Sequence, residues 1–443
     1  MRLYIKRKLS SFKIICLGFA LVILIGALLL NLPVSANNPD DISFSDALFT
    51  STSAVCVTGL VVHDTATTWT LFGQVVILCL IQIGGLGVMT LALGLFTVSG
   101  RKIGLMQRST MQEAVAAHEL RGVVRLSSFI IKTTFIIELL GAALLSCAFI
   151  PRFGLITGIW YSIFHSIAAF CNAGFDLMGV NSPYSSLTAF ADDPVINICI
   201  MALIITGGIG FMTWLDIKEK KFHIKRYSMQ SKTVLTVTAV LITVPALYFF
   251  FFEFGDMPLG ERIWSSLFQS VTPRTAGFNT VDLTTLSGVG IAVCIFLMVT
   301  GGSPGSTAGG MKTSTLAVLV ASSVSVFRRR EDAGLFGRRI SSDTIKDAAA
   351  IAIIYLLLFT GGGMCISIIE QLPLSTCLFE CASAIGTVGL SLGITPELGE
   401  ISRAILIFLM YFGRVGGLTL IYATLPADRF YASRLPLEKI SVG

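Results

Sequence analysis

Thr275-Ala276-Gly277-Phe278-Asn279 is the stretch on which the fold turns, because three similar stretches lie elsewhere in the same 443-residue chain. They are Val57-Thr58-Gly59-Leu60, Asn172-Ala173-Gly174-Phe175 and Thr387-Val388-Gly389-Leu390. The four recur about every 100 to 115 residues, and self-similarity at a fixed period marks one structural unit used several times. Each glycine is followed, further along, by a second glycine cluster inside an apolar run. These clusters are Gly84-Gly85-x-Gly87, Gly207-Gly208-x-Gly210, Gly301-Gly302 and Gly413-x-x-Gly416-Gly417. The pattern predicts an all-α membrane protein of four pseudo-symmetric helix, pore-loop, helix repeats, eight spans in all, around one central pore.

Composition points the same way. Hydrophobic residues make up 54% of the chain and charged residues only 13%, with a mean hydropathy of +0.81; soluble domains carry about 25% charge. Apolar runs near the ~20 residues that cross a bilayer fall at residues 12–32, 69–98, 129–150, 195–215, 234–252, 348–369 and 401–420. An eighth, 289–326, is interrupted in its middle. The basic start, apolar run and Ser35-Ala36 resemble a secretory signal, but the run is too long for a signal core and is expected to stay as the first span.

Basic residues crowd Lys6-Arg7-Lys8, residues 101–125, residues 218–232, Arg328-Arg329-Arg330 with Arg338 and Arg339, and the C-terminal tail. By the positive-inside rule these segments, and both termini, are cytoplasmic. The alternate connections carry Asp40, Asp41, Asp46, Asp64, Asp192, Asp193, Asp256, Asp282, Glu397 and Glu400, an acidic outer face that concentrates cations. The basic face suits anionic lipid and a cytoplasmic partner; no nucleic-acid fold fits between the spans.

Non-helical backbone at membrane depth survives only where protein buries it or where it lines water. Four such loops must face each other and present carbonyl oxygens in place of an ion's hydration shell. Glycine suits them because such a strand needs positive φ. The preceding runs, residues 44–55, 160–170, 262–271 and 376–385, read as short pore helices whose C-terminal dipole ends favour a cation. Single glycines in membrane helices commonly serve close packing, but four in register between pairs of spans do not fit that reading.

On these motifs the chain resembles the Trk/Ktr/HKT superfamily of potassium transporters over essentially its whole length. With eight spans it is most similar to the KtrB-type membrane subunits of bacterial uptake systems. The resemblance implies a potassium filter built from Val57, Thr58 and Gly59; Asn172, Ala173 and Gly174; Thr275, Ala276 and Gly277; and Thr387, Val388 and Gly389. It also implies units at 1–100 (filter loop 55–60), 101–217 (loop 170–175), 218–328 (loop 273–278) and 329–425 (loop 385–390), then a cytoplasmic tail at 426–443 that contributes to contacts between subunits or with the regulator. Plant members with serine in the first loop favour sodium; Gly59 therefore implies potassium. Pro273 beside Arg274 has no evident role in the pattern.

The segment Gly301-Gly302-Ser303-Pro304-Gly305-Ser306-Thr307-Ala308-Gly309-Gly310 cannot stay helical, since glycine and proline both disfavour it. The resemblance implies an intramembrane gate at 301–312, including Lys312, below the filter. A phosphate-binding loop nearly fits residues 305–313, but Met311 intervenes and both flanks are membrane helix. Arg414, at mid-membrane, costs several kcal/mol without water or a partner. The resemblance makes it an electrostatic barrier in the inner pore; a structural pairing with Glu380 or with loop carbonyls is the plain alternative. Lys312 is similarly open, since it can reach the cytoplasmic interface.

The ten cysteines lack CxxC pairing and read as buried apolar residues, with Cys56 and Cys171 at matching positions behind the loops. The four histidines show no metal-ligand spacing, and His165 reads as a hydrogen-bonding packer. Nothing resembles a nucleophile with its base, so an enzyme is not expected. Two function classes stay in view: a channel-like potassium uptake subunit, and a sodium- or proton-coupled symporter with a midplane site. For the first, the resemblance implies a homodimer in the bacterial plasma membrane, an RCK-type regulatory ring that binds nucleotide, and no organic cofactor in this chain. Sodium is a candidate activator.

Overall fold

The computed structural model describes residues 10–88, 90, 123–180, 182–221, 223–424 and 438. The expectations placed on Lys6-Arg7-Lys8, on most of residues 101–125 and on the C-terminal tail lie outside the described residues, Glu438 excepted.

Long and short helices alternate along the chain. The first group is α1 (Ser11–Leu30), α2 (Phe44–Val55) and α3 (Leu71–Leu86); the second is α4 (Val123–Phe153), α5 (Leu155–Phe170), α6 (Pro194–Gly208) and α7 (Phe211–Lys220). The third is α8 (Met229–Tyr248), α9 (Leu259–Val271), α10 (Gly288–Thr300) and α11 (Thr313–Phe327). The fourth is α12 (Ser342–Glu370), α13 (Leu374–Gly386), α14 (Glu400–Val415) and α15 (Gly417–Thr424). Among the described residues, four helices are long and apolar enough to cross a membrane: Ser11–Leu30, Leu126–Phe153, Met229–Glu253 and Ser342–Glu370. Two bent pairs raise that number to six, α6 with α7 at 95° and α14 with α15 at 96°.

The chain is not wholly α. Between the third and fourth groups a small antiparallel hairpin pairs Gly334 with Arg339 and Leu335 with Arg338. Its two turn residues, Phe336 and Gly337, both have positive φ, 50° and 74°, the backbone that a two-residue hairpin turn of this twist requires.

The short helices α2, α5, α9 and α13 run 12, 16, 13 and 13 residues, too short to cross a bilayer alone. Their starts are written locally. At α2, Ser43 and Asp46 form a reciprocal capping box, and Arg403 holds Asp46 at 2.8 Å. Each short helix buries a phenylalanine completely: Phe49, Phe164, Phe268 and Phe379 are 0% exposed. In α2 the next residues are polar yet buried, and beyond Thr50 their hydroxyls find partners, as when Ser51 Oγ donates to the Ile23 carbonyl at 2.7 Å and Thr52 Oγ1 to the Leu48 carbonyl at 2.7 Å. The lipid side is the reverse: Leu139, Leu140, Phe252, Leu357 and Ile368 stand exposed, as apolar groups facing acyl chains would.

Candidate functional site

The four glycine tripeptides lie where the C-terminal ends of α2, α5, α9 and α13 meet. In each, the first and third residues have positive φ: Val57 56° and Gly59 92°, Asn172 59° and Gly174 68°, Thr275 69° and Gly277 84°, Thr387 50° and Gly389 94°. Only glycine adopts the conformation at the third position at no steric cost.

The tripeptides close a ring. A Cβ built on Gly59 would meet the Ala173 carbonyl and Gly174 Cα; one on Gly174 would meet the Ala276 carbonyl and Gly277 Cα. One on Gly277 would strike the Val388 carbonyl, and one on Gly389 the Thr58 carbonyl and Gly59 Cα. The order is therefore first, second, third, fourth and back to the first. The middle residues Thr58, Ala173, Ala276 and Val388 are fully buried.

Three of the four turns leave their helix identically. Thr58 N–H donates to the Ser53 carbonyl, Ala173 N–H to Ala168 and Val388 N–H to Ser383, each at 2.8 Å. The third turn differs: Ala276 and Gly277 both donate to the Thr272 carbonyl, at 3.0 and 3.4 Å. The segment from Phe268 to Gly277 is one residue shorter than those from Phe49 to Gly59, Phe164 to Gly174 and Phe379 to Gly389, α9 stops at Val271, and Pro273 in this turn has no N–H to donate.

On one side of the ring lies a cavity of about 380 Å³ bordered by the four glycines and by Asp64, Asp176 and Glu397. Burial and the neighbouring Asp64 push the Asp176 carboxyl up to about 6. On the other side a second cavity of about 380 Å³ is bordered by Gly85, Pro304, Ser306, Lys312 and Arg414. Negative groups thus flank one side and positive groups the other.

Of the acidic residues expected to draw cations, only Asp64 and Glu397 border the first cavity. Asp46 is held by Arg403 and lies 3.4 Å from His63; Asp193 caps α6 and pairs with Arg152 at 2.7 Å; Asp282 caps a short turn of helix. Asp176, which was not among them, does border the cavity.

Residues 301–312 are non-helical, as expected, and lie beneath the ring. The Gly309 position abuts the Thr387 side chain, and Gly310 lies against Gly386. Ser303 N–H donates to the Gly208 carbonyl at 3.1 Å, Thr307 N–H to Gly207 at 3.3 Å and Gly310 N–H to Gly413 at 3.2 Å. Thr307 Oγ1 donates to the carbonyl of Phe170 at 3.1 Å and lies 3.2 Å from Asn172 Oδ1. With these N–H groups given to protein carbonyls, they are not free to cradle a phosphate.

Arg414 finds loop and helix carbonyls rather than Glu380. Its guanidinium donates to the carbonyls of Thr307, Gly84 and Gly85. Glu380 lies elsewhere, accepting from Ser391 Oγ at 2.6 Å, Thr395 Oγ1 at 2.8 Å and Leu392 N–H at 3.0 Å. Lys312 donates to the carbonyls of Ala308 and Gly309 at 2.9 and 3.0 Å, so it ties its own loop instead of reaching outward. Arg274 is buried and reaches Thr238 Oγ1 at 3.2 Å.

Cys56 and Cys171 are the C-terminal caps of α2 and α5, fully buried. Cys171 Sγ lies 3.9 Å from Oε1 of Glu138, a buried carboxylate that also accepts from Gln82 at 3.2 Å. Among the described residues no cluster of three His, Cys, Asp or Glu side chains is placed to hold a metal. His165 is a packer with two bonds, to the Tyr161 carbonyl at 2.7 Å and from Leu177 N–H at 3.4 Å. A signal that pattern reading missed is the pair formed by each buried phenylalanine and the polar residue after it: Phe49-Thr50, Phe164-His165, Phe268-Gln269 and Phe379-Glu380.

Apolar helices gathered around a ring of backbone make this a multi-pass membrane protein, and residues 12–432 match the TrkH family of cation transport proteins, to which the chain belongs. It is a family of transporters and not of enzymes. The potassium/sodium uptake protein NtpJ of Enterococcus hirae is 40% identical over an alignment covering 100% of this chain and 99% of that protein. The Ktr system potassium uptake protein B of Bacillus subtilis is also 40% identical, over 93% of this chain and 92% of that protein. The crystal structure of the potassium transporter TrkH from Vibrio parahaemolyticus superposes with a TM-score of 0.75 at 20% identity, covering 96% of this chain and 87% of that one.

Proposed function

We propose that the protein takes up potassium across the bacterial plasma membrane through a channel-like filter of backbone carbonyls. The observation that carries this is the closed ring of four glycines, each facing the carbonyl that precedes the next glycine. In this reading the helices form eight spans in four pseudo-symmetric units around one pore. The spans beyond the six bent or straight ones are α3 and the interrupted pair α10 and α11. The uptake relatives named for potassium, and one for potassium and sodium, support the ion.

Potassium enters from the Asp64, Asp176 and Glu397 side, shedding water as carbonyls replace its hydration shell. Pore-helix ends add partial negative charge. Residues 301–312 then form the gate. Lys312 and Arg414 hold it shut by binding its carbonyls, and they set a positive barrier below the filter. Both termini and the basic connections face the cytoplasm, where a nucleotide-binding RCK-type ring docks on a homodimer and acts on the gate. Sodium acts as an activator.

The test is potassium flux into liposomes holding the purified chain, driven by an imposed potential, with sodium and an uncoupler varied separately. Flux that survives removal of sodium and proton gradients is the expected result. Flux that needs either gradient makes the protein a coupled symporter.

A further inference from the structure

The residue after each buried phenylalanine of the short helices does unequal work. In α5, His165 is fully buried, and its Nδ1 lies 2.7 Å from the Tyr161 carbonyl. With that nitrogen donating, Nε2 is an acceptor, and it takes the N–H of Leu177, three residues beyond Gly174, at 3.4 Å. In α13, Glu380 is fully buried and takes the N–H of Leu392, three residues beyond Gly389, at 3.0 Å. Two unlike side chains therefore hold the same backbone N–H at the same place in two different turns.

The ties reach further. Glu380 also binds the hydroxyls of Ser391 and Thr395, clamping the strand that leaves Gly389. His165 also packs on Phe278, the residue after Gly277, with ring centroids 6.3 Å apart. At the matching positions of the other two helices the tie is missing. Thr50 Oγ1 has no partner, and Gln269 Nε2 turns instead to Cys294 Sγ at 3.3 Å. In the third turn Ser186 Oγ instead accepts from Asn279 N–H at 3.2 Å, while the first turn keeps the bond from Gly59 N–H to Ser53 Oγ at 3.0 Å that the fourth turn also makes, from Gly389 N–H to Ser383 Oγ at 3.0 Å.

We propose that His165 and Glu380 are positioning residues for ion selectivity, fixing the outward strands after Gly174 and Gly389 and through them the height of the outermost ring carbonyls. They touch no ion. This inference rests on the filter reading and deepens it.

The experiment measures the potassium-to-sodium permeability ratio of the full chain in liposomes, alongside thermal unfolding of each variant. His165→Leu strands the buried Leu177 N–H and Glu380→Ala the half-buried Leu392 N–H, and both are expected to lower the ratio, by up to about tenfold, the scale of one unsatisfied buried group. His165→Gln and Glu380→Gln keep an acceptor and are expected to stay within about threefold of the wild type. Thr50→Ala and Gln269→Ala are expected to leave the ratio unchanged. Ser391→Ala, on a half-buried residue, removes one leg of the clamp and gives a smaller loss, so the proposal stays testable if a buried variant does not fold. A ratio unmoved in folded His165→Leu and Glu380→Ala overturns it, as does equal damage in the Gln variants. A wild-type chain that does not discriminate between the ions would instead defeat the filter reading itself.

Discussion

The interrupted third group and the other three handle the same problem differently. In the first, second and fourth groups a glycine of the later helix lies against the last turn of the short helix. A Cβ on Gly84 would strike the Val55 carbonyl, one on Gly207 the Phe170 carbonyl and one on Gly413 the Ile385 carbonyl. Each of these helices then ends or bends within a few residues, at Gly87, Gly210 or Gly416, all with positive φ. In the third group that packing is gone. Gly301 faces the carbonyls of its own loop, and twelve non-helical residues separate α10 from α11. The same group carries Pro273 and the segment from Phe268 to Gly277 that is one residue shorter than its counterparts. One quarter of the ring has given up regular helix packing, and its loop lies against the second and fourth groups, bonded to the carbonyls of Gly207, Gly208 and Gly413. In the proposed reading, near-repetition builds the passage and a local departure from it builds the gate.

The widest separation between ring and loop should come from Gly277→Ser. Its side chain has to displace the Val388 carbonyl, and an overpacking cost near 3 kcal/mol corresponds to about a hundredfold loss of potassium-over-sodium preference, measured from reversal potentials. An unchanged preference would remove Gly277 from the filter.

Next comes the helix packing itself. Gly413→Ala is expected to lower stability by ~2 kcal/mol, while Gly361→Ala, whose new Cβ meets nothing within 4 Å, should leave the melting temperature equal or slightly higher. Equal melting of the two variants would break the contrast between close-packed and free glycines.

Removing residues 303–306 shortens the loop and is expected to raise flux about tenfold, a barrier change near 1.4 kcal/mol, with the ion ratio kept. Lower flux from a folded variant would make the loop part of the filter rather than its gate.

The smallest effect concerns the acidic side. Asp176, pushed up to about 6 by burial and by Asp64, is negative above that pH and neutral below it. Acidifying the outside from pH 7.5 to 5 removes one charge from the entrance, so uptake should fall about twofold with a midpoint near 6, in line with field effects of single charges. Asp176→Asn should flatten that profile.

Much of this was legible in the chain. The four tripeptides, the short helices and the break after Thr300 are written in glycine spacing and apolar runs, because positive φ and bilayer thickness act locally. The α9 end was half legible: Pro273 was visible, but its consequence depended on how Ala276 and Gly277 would rebond. Harder still were Asp46 and Asp193, which read as surface charge and turned out to close the capping box of α2 and to cap α6, paired with Arg403 and Arg152. An acidic residue near a helix start serves either purpose, and only the approach of a distant arginine decides which.

By itself, then, the sequence determined that the chain lies in a membrane, that one motif is used four times, and that residues 301–310 break a helix. Only the tertiary structure decided that Arg414 binds the carbonyls of Thr307, Gly84 and Gly85 while Glu380 clamps the strand after Gly389. Glycine and hydropathy signals come from each residue's own conformational and solvation energies. The partner of a buried charge is chosen by which carbonyls from remote segments arrive within hydrogen-bond reach, and no local pattern encodes that.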